Sequence, residues 1–243
     1  QIFCNLFLIN ERFVYGGENG VEEQKEQKKV SESDVEISSL DNSAAPLTLI
    51  NQNNEPVILD SLIGKPLVMS FIFTRCPIAE MCPLIMQKIV KVQKGLNDEY
   101  KDKVFFAIMT FDPEYDTPEV LKAYGKNHGV DFDNLIYLTG DKKEIETAIA
   151  HFRVYFKEDA PGQISHTMET MVMDEKGVIK RIFPTSIWSP ESVIEEVKKV
   201  IKNMEESKKQ IQNSEARSQN SEAKIQNIKR VNELQRNKLP VED

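Results

Sequence analysis

The sequence predicts an α/β domain in which a central, mainly parallel sheet is flanked by helices. Two uninterrupted apolar runs, at 66–73 and 104–110, are typical of strands that are buried on both faces. Segments with helical periodicity alternate with these runs, an order that favours parallel strands joined by right-handed crossovers. Two further apolar runs flank a glycine-containing turn at 174–177 and predict an antiparallel hairpin at the edge of the sheet.

Local signals set the order and the limits of these elements. Thr117 is a good N-cap, Pro118 fits the first turn that follows it, and Gly129 can end the same helix. In chain order the predicted elements are a strand at 66–73, a helix at 84–96, a strand at 104–110, a helix at 117–128, a strand at 135–138, a helix at 141–152, a hairpin at 167–183 and a helix at 189–204. This order is the layout of a thioredoxin-like fold, in which the hairpin makes the central sheet mixed.

Composition divides the 243-residue chain into three parts. Only 41–204 carries dense core patterning, and a chain of this length has room for one good-sized core. We expect 1–40 to be an export or anchor segment whose start is missing, followed by a charged linker, because 2–9 is apolar and 18–36 has almost no large apolar residue. We expect 205–243 to be a low-complexity, marginally helical tail, because its seven-residue repeat places serine at half of the core positions.

Charge and cysteine content exclude several classes of protein. The chain has 31 Lys and Arg against 39 Asp and Glu, a formal net charge of −8, whereas a nucleic-acid binder needs a basic face. Three cysteines are too few for a disulfide scaffold. No stretch reaches the roughly 20 apolar residues that a membrane-spanning helix needs. We therefore expect a globular domain with extensions and no nucleic-acid partner.

Two cysteines flank the loop that joins the first buried strand to its helix. Cys76 follows the strand, and Cys82 stands directly before Pro83 at the start of the helix. At that position the helix dipole favours the thiolate of Cys82 over the thiol. Because a thiolate is both a nucleophile and a metal ligand, the cysteine pair alone leaves redox and metal-binding roles open.

His166 is the third candidate residue, because it stands at the start of the predicted hairpin. In the predicted sheet this position lies beside the cysteine loop, so we expect the imidazole to face the cysteines. Two thiolates and one imidazole suit Cu(I), or Cu(II) with additional ligands, whereas zinc usually takes a fourth ligand. His128 and His151 fall near predicted helix ends, where a protonated imidazole is favoured, and we expect both to be structural.

Several short motifs occur in one order over about residues 47–204, namely FIFTRCP followed by CP, FDP, DTPEVL, FRVYF, SHT and DEKG. Together they closely resemble the Sco/SenC family. The resemblance implies a thioredoxin-like fold and a copper site made by two cysteines and a distant histidine, which here are Cys76, Cys82 and His166. It also implies that Asp112, in the FDP motif, lies beside the site, although capping of the turn before Pro113 explains this aspartate equally well.

The cysteine spacing departs from the family pattern. Family members usually have three residues between the two cysteines, and this chain has five, from Pro77 to Met81. A loop that is two residues longer closes at little extra entropic cost, so the two sulfurs can still meet. The longer loop therefore bears on the geometry of the metal site rather than on whether the cysteines come together.

The resemblance also implies a function. It implies a copper-binding assembly factor that delivers copper to the binuclear copper site of cytochrome c oxidase, or that reduces the cysteines of that site. The partner would be the oxidase subunit that carries the site, with other copper chaperones or thioredoxin-like reductants as further partners. The domain would lie on the outer face of a bacterial inner membrane, anchored through its N-terminal segment.

A thiol-disulfide oxidoreductase without obligatory copper transfer is the main alternative. In that reaction Cys76 attacks or is attacked, Cys82 resolves the mixed disulfide, and no histidine is needed. A thiol peroxidase would also place a reactive cysteine in this loop, but it would leave His166 without a role. Replacement of His166 by alanine distinguishes metal transfer from reductase chemistry, since only metal binding should depend on the imidazole.

Overall fold

The computed structural model describes residues 6–9, 12–15, 47–96, 98–160 and 163–236. The chain divides into two compact units, Gln1–Ile201 and Lys202–Asp243. Cys4 and the charged linker predicted at 18–36 lie outside the described residues. Within the described residues, no helix is both long enough and apolar enough to cross a membrane.

A seven-stranded sheet forms the centre of the first unit. Two short N-terminal strands pair separately, as the hairpin β1 (Leu6–Ile9) and β2 (Arg12–Tyr15). The strands of the central sheet are β3 (Thr48–Asn51), β4 (Pro56–Ile58), β5 (Leu67–Ile72), β6 (Phe105–Thr110), β7 (Leu135–Thr139), β10 (Glu169–Met173) and β11 (Ile179–Pro184), in the spatial order β11-β10-β5-β6-β7-β3-β4. The three inner strands β5, β6 and β7 run parallel, and the outer pairings are antiparallel. The prediction of an α/β domain with a mixed central sheet is therefore confirmed.

The longer helices follow the strands in the order that the periodicity predicts, whereas the two helices of four residues were not predicted. The helices are α1 (Cys82–Gly95), α2 (Asp98–Lys101), α3 (Pro118–His128), α4 (Lys142–His151) and α5 (Pro190–Arg236), with a short 3-10 helix at Leu59–Leu62. The predicted caps of α3 are present, because the hydroxyl of Thr117 accepts a hydrogen bond from the amide of Val120 and Gly129 ends the helix at a φ of 72°. All six side chains of β5 are buried, as expected for a strand covered on both faces.

Besides the short helices and the N-terminal hairpin β1–β2, which were not predicted, three features differ from the sequence-based expectation. The strands β3 and β4 were not predicted, because they are only four and three residues long and show little apolar alternation. A second hairpin, β8 (Phe156–Ala160) with β9 (Gln163–His166), was also not predicted, because four of the five residues of β8 are exposed and three of these are charged. The last helix does not end near Met204 but continues to Arg236, since the chain has no glycine or proline between 204 and 236 to interrupt it.

Strand direction brings the candidate residues to one edge of the sheet. The parallel strands β5 and β6 both end at this edge, and α1 begins there after the loop that follows β5. Strand β10 is antiparallel to β5, with Thr170 opposite Ser70 and Met173 opposite Leu67. The start of β10 therefore lies at the edge where β5 ends, and this places the preceding residues 163–168 near the cysteine loop.

Candidate metal centre

The two cysteines occupy different environments at the ends of one loop. The loop begins after Ile72, where β5 ends, and closes at Cys82, the first residue of α1. Cys82 is buried, with 1% of its surface exposed, whereas Cys76 is half-buried. Both are free thiols. Pro83 stands in the first turn of α1, as the sequence predicts.

The pKa values of the two thiols move in opposite directions. The pKa of Cys76 is lowered to about 6, chiefly because it is hydrogen-bonded by the thiol of Cys82, with smaller help from backbone amides and against partial burial. The pKa of Cys82 is raised because its protonated thiol interacts with the sulfur of Cys76 and because it is buried. The prediction that the helix dipole makes Cys82 the thiolate is therefore wrong. Burial and the neighbouring thiol outweigh the dipole, and Cys76 is the thiolate of the pair.

His166 lies at the end of β9 and faces the buried cysteine. Its Nε2 atom is 3.8 Å from Sγ of Cys82, and its Nδ1 atom is 3.0 Å from the carbonyl oxygen of Thr167. Because a carbonyl only accepts hydrogen bonds, Nδ1 carries the proton, and the Nε2 lone pair is directed at Cys82. His166 belongs to the β8–β9 hairpin rather than to the hairpin at 167–183, whose start was its predicted place.

Aromatic rings hold this imidazole in place and keep it neutral. The ring of Phe111 stacks on His166 with centroids 4.4 Å apart, and Phe73 meets it edge-on at 5.8 Å. Burial lowers the pKa of His166, against the hydrogen bond to Thr167. A neutral imidazole in one tautomer is the form in which histidine binds a metal ion.

Of the three predicted ligands, Cys82 interacts with both others. Its Sγ lies 3.8 Å from Nε2 of His166, and the neighbouring Cys76 raises its pKa. Across the part of the chain that the structure describes, no three His, Cys, Asp or Glu side chains are already gathered as a metal-binding group. The other two histidines lie at helix ends, as predicted: Nδ1 of His128 is 2.9 Å from the carbonyl oxygen of Tyr124, and His151 packs edge-on against Phe152.

Asp112 is linked to the cysteine loop through an arginine. Its Oδ2 atom accepts a hydrogen bond from Nε of Arg75 at 2.5 Å, and Arg75 also lies 4.6 Å from the ring centre of Tyr115. The backbone amide of Asp112 donates to the hydroxyl of Thr110, and its backbone carbonyl oxygen accepts from the amide of Asp116. The carboxylate of Asp112 therefore holds the residue that precedes Cys76, and its role beside a metal site stays a prediction.

Asp116 is a site residue that the sequence reasoning missed. It is fully buried, and its carboxylate accepts hydrogen bonds from the amide and hydroxyl of Thr74 and from the hydroxyl of Thr110. Burial raises the pKa of Asp116, although these hydrogen bonds oppose the shift. The carboxylate thus ties the start of the cysteine loop to the end of β6. The signal in the sequence is a second aspartate four residues after Asp112, which was treated only as part of the motif before α3.

Comparison with known proteins gives a family and several similar structures. The family model described as SCO1/SenC matches residues 36–202. A SCO2-like protein of Rickettsia prowazekii is 33% identical over 152 residues, which are 60% of this chain and 71% of that protein.

Three solved structures illustrate the likeness in fold. ScoI of Bradyrhizobium japonicum with copper bound is 31% identical, with a TM-score of 0.55 over 64% of this chain and 98% of the other. BsSco, described as having a disulfide switch and as a member of the Sco family of cytochrome c oxidase assembly proteins, is 30% identical, with a TM-score of 0.56 over 65% of this chain and 92% of the other. A SCO1/SenC family lipoprotein of Bacillus anthracis is 28% identical, with a TM-score of 0.58 over 64% and 93%.

Proposed function

The chain belongs to the SCO1/SenC family, and we propose that it binds one copper ion through Cys76, Cys82 and His166 and delivers it to a partner's copper site. The observation that carries this proposal is the neutral imidazole whose Nε2 lone pair points at Sγ of Cys82, 3.8 Å away. Two sulfur donors and one nitrogen donor form a soft set that favours Cu(I). The copper-bound relative of the same fold supports copper as the metal.

The protonation of the three side chains suits stepwise loading. The low pKa of Cys76 supplies a thiolate at neutral pH, and this half-buried sulfur is the first that an arriving ion can meet. Cys82 must lose its proton when it becomes a ligand, whereas His166 is already neutral. Copper binding therefore releases a proton, and the apparent affinity should fall as the pH is lowered.

Copper stoichiometry on the reduced chain tests this proposal. We expect one copper per wild-type chain, and a loss of affinity of more than about 100-fold in His166→Ala, because removal of a ligand should cost more than removal of an outer partner. His151→Ala is the matched control, since His151 is partly buried at the end of α4 and contacts neither cysteine in the described structure. A His166→Ala chain that still binds copper as tightly as the control would contradict the ligand assignment.

Thiol-disulfide exchange is the second candidate function, favoured by the opposite pKa shifts of the two cysteines. The thiolate of Cys76 would attack a client disulfide and release one client thiolate. Cys82 would then lose its proton, attack the mixed disulfide and release the second client thiolate. The cysteines end as a disulfide, and two electrons have passed to the client. His166→Ala should keep this activity, whereas Cys76→Ser should abolish it.

We also propose the partner and the location that the family suggests. The partner is the copper-bearing subunit of cytochrome c oxidase, because BsSco is described as a member of a family of assembly proteins for that enzyme. The location is the outer face of a bacterial inner membrane, in keeping with the lipoprotein among the similar structures. In this proposal the domain at residues 41–204 binds copper. The segment at residues 1–40 anchors this domain to the membrane, and the tail at residues 205–243 has no role in copper binding. Copper transfer to a purified oxidase fragment, and cell fractionation of the full-length chain, test these assignments.

A further inference from the structure

A cleft of about 420 Å³ lies beside the candidate copper site, between three elements of the first unit. Its lining comes from the loop after β6, from the first two turns of α4 and from the β8–β9 hairpin. The volume falls within the range of about 300–1,000 Å³ that is usual for ligand-binding clefts. Neither the copper-binding nor the thiol-exchange function proposed above makes use of this cleft.

The apolar part of the lining, which we call the floor, reaches the candidate histidine ligand. The floor consists of Phe111, Ile145, Phe156 and Ile164, all buried or half-buried. The ring of Phe111 stacks on His166 with centroids 4.4 Å apart, and the ring of Phe156 lies 5.7 Å from that of Phe111. A group that occupies the cleft is therefore one aromatic ring away from His166.

The polar part of the lining, which we call the rim, carries more negative than positive charge. It consists of four carboxylates and two ammonium groups, those of Asp112, Glu114, Glu146, Glu158, Lys142 and Lys157. The rim therefore has a formal excess of negative charge, and this excess favours a cationic ligand.

Existing ion pairs use both rim cations. Nζ of Lys142 is shared between Glu114 and Glu158, with an oxygen of each at 3.2 Å. Lys157 pairs at 2.8 Å with Asp159, outside the cleft lining. The ion pairs among the described residues leave Glu146, which is exposed on α4, without a cation. Glu146 is thus the carboxylate of the rim that an incoming cation can bind.

An arginine side chain fits both the floor and the rim. Its aliphatic stem can lie on apolar surface while its charged head stays at the edge of the cleft. The planar guanidinium also stacks on aromatic rings and binds carboxylates with two parallel hydrogen bonds. A carboxylate side chain in the same place would instead meet the excess negative charge of the rim.

We propose that the cleft receives an arginine side chain of the partner protein while exchange takes place at Cys76. The inference rests on the proposed function, because it assigns the recognition of the partner in that function. The stem of the arginine lies on the floor, and its guanidinium binds Glu146. The cleft thus determines which partner docks and how it is oriented, while the cysteines and His166 carry out the exchange.

The first test measures the binding of a small probe to the reduced, copper-free chain. The probe is Nα-acetyl-arginine amide, and its neutral isostere Nα-acetyl-citrulline amide is the comparison. Methyl NMR follows Ile145 and Ile164 in the floor, with Ile182 on the edge strand β11 as the control reporter. We expect the two floor residues to shift and Ile182 to stay unchanged, with the arginine probe binding about fivefold more tightly than its isostere.

The second test compares Glu146→Gln with Glu195→Gln and with the wild type. Glu195 is exposed on α5, so each variant loses one surface charge. We expect Glu146→Gln to bind the arginine probe about threefold more weakly and to pass copper to a purified oxidase fragment about threefold more slowly. Glu195→Gln should match the wild type. Because salt screens exposed charges, the difference should disappear at about 0.5 M salt.

Each opposing outcome has a distinct meaning. Equal affinity for the two probes, or a shift of Ile182 as large as that of Ile145, overturns the inference. If Glu146→Gln passes copper as fast as Glu195→Gln, the assignment of the cleft to the partner is overturned and the copper site stands. A wild-type chain that passes no copper overturns the proposed delivery, and the probe comparison on the copper-free chain then decides alone for or against the cleft.

Discussion

The two halves of the site differ in the groups that hold their candidate ligands in place. The cysteine half comprises Thr74, Arg75, Cys76 and Cys82 with the two aspartates that bind this loop, and the histidine half comprises His166 with Phe73, Phe111 and Thr167. In the cysteine half, the carboxylates of Asp112 and Asp116 hold Arg75 and Thr74, the residues directly before Cys76. In the histidine half, two aromatic rings and one backbone carbonyl hold the imidazole.

This difference agrees with the chemistry that the proposed function requires of each half. In the proposed function the cysteines would exchange protons, electrons or metal with a partner, and a loop with one half-buried thiol allows such exchange. The histidine has only to present one lone pair, and apolar packing around a fixed tautomer achieves this without changing charge. Under the proposed function, the cysteine half would carry the reactivity of the site, and the histidine half would supply one oriented lone pair.

The prediction with the largest expected effect concerns the hydrogen bonds that Asp116 accepts in the cysteine half. Asp116→Ala leaves the amide of Thr74 and the hydroxyls of Thr74 and Thr110 without their buried acceptor. Because breaking a buried polar network by removal of one partner costs about 3 kcal/mol, we expect the free energy of unfolding to fall by about that amount. Urea unfolding of the reduced chain measures the change.

An exposed acidic residue on the same loop provides the control for Asp116. Glu114 pairs with Lys142 at the surface, with 68% of its side chain exposed. We expect Glu114→Ala to change the free energy of unfolding by no more than about 0.5 kcal/mol. If both alanine variants lost the same small amount, the cysteine half would not depend on its buried carboxylate, and the contrast between the halves would be lost.

The next prediction concerns the difference between the two cysteines. At pH 7 most of Cys76 is thiolate, because its pKa is about 6, whereas the raised pKa of Cys82 leaves it almost entirely protonated. Since thiolates are the reactive form, we expect iodoacetamide to modify Cys76 about 100-fold faster than Cys82. Mass spectrometry of the reduced chain at short reaction times measures the ratio.

A variant without Cys82 tests the cause of the low pKa of Cys76. Cys82→Ala removes the hydrogen bond that is the largest cause of the low pKa of Cys76. We therefore expect the pH at which Cys76 reaches half its maximal alkylation rate to rise from about 6 towards its ordinary value. An unchanged midpoint would mean that the backbone amides, rather than Cys82, stabilise the thiolate.

The strong periodic patterns of the sequence were sufficient to predict the core of the fold. Strands β5 and β6 are continuous apolar runs, and α3 carries both of its caps, so local and tertiary preferences agree there. The β8–β9 hairpin was missed because its residues are largely exposed and charged, and its pairing depends on contacts distant in sequence. His166 was expected at the right edge of the sheet but in the wrong hairpin.

The structure places His166 beside Cys82, as the sequence predicts, whereas the protonation of the two thiols could not be predicted and the ligand assignment stays a prediction. The pattern of the sequence indicates Cys76, Cys82 and His166, yet it assigned the thiolate to Cys82 from the helix dipole alone. That assignment failed because burial and the hydrogen bond between the thiols act through space, and neither is visible in the spacing of residues. Asp116 was missed for the same reason, since only the folded chain shows that Thr74 and Thr110 converge on it.

The prediction with the smallest expected effect concerns whether His166 stays neutral in the folded chain. The folded pKa of His166 lies below its unfolded value, so below about pH 6.5 the unfolded chain takes up a proton that the folded chain resists. This contribution to stability is present above pH 6.5 and is lost as the pH falls, by at most about 1.4 kcal/mol per pH unit. We expect the free energy of unfolding to fall less in His166→Gln than in the wild type between pH 7 and 5. His151, whose pKa burial also lowers, is retained in both chains and cancels from the difference. Equal acid sensitivity of the two chains would mean that the imidazole accepts a proton in the folded state, and the histidine half would then be as responsive to pH as the cysteine half.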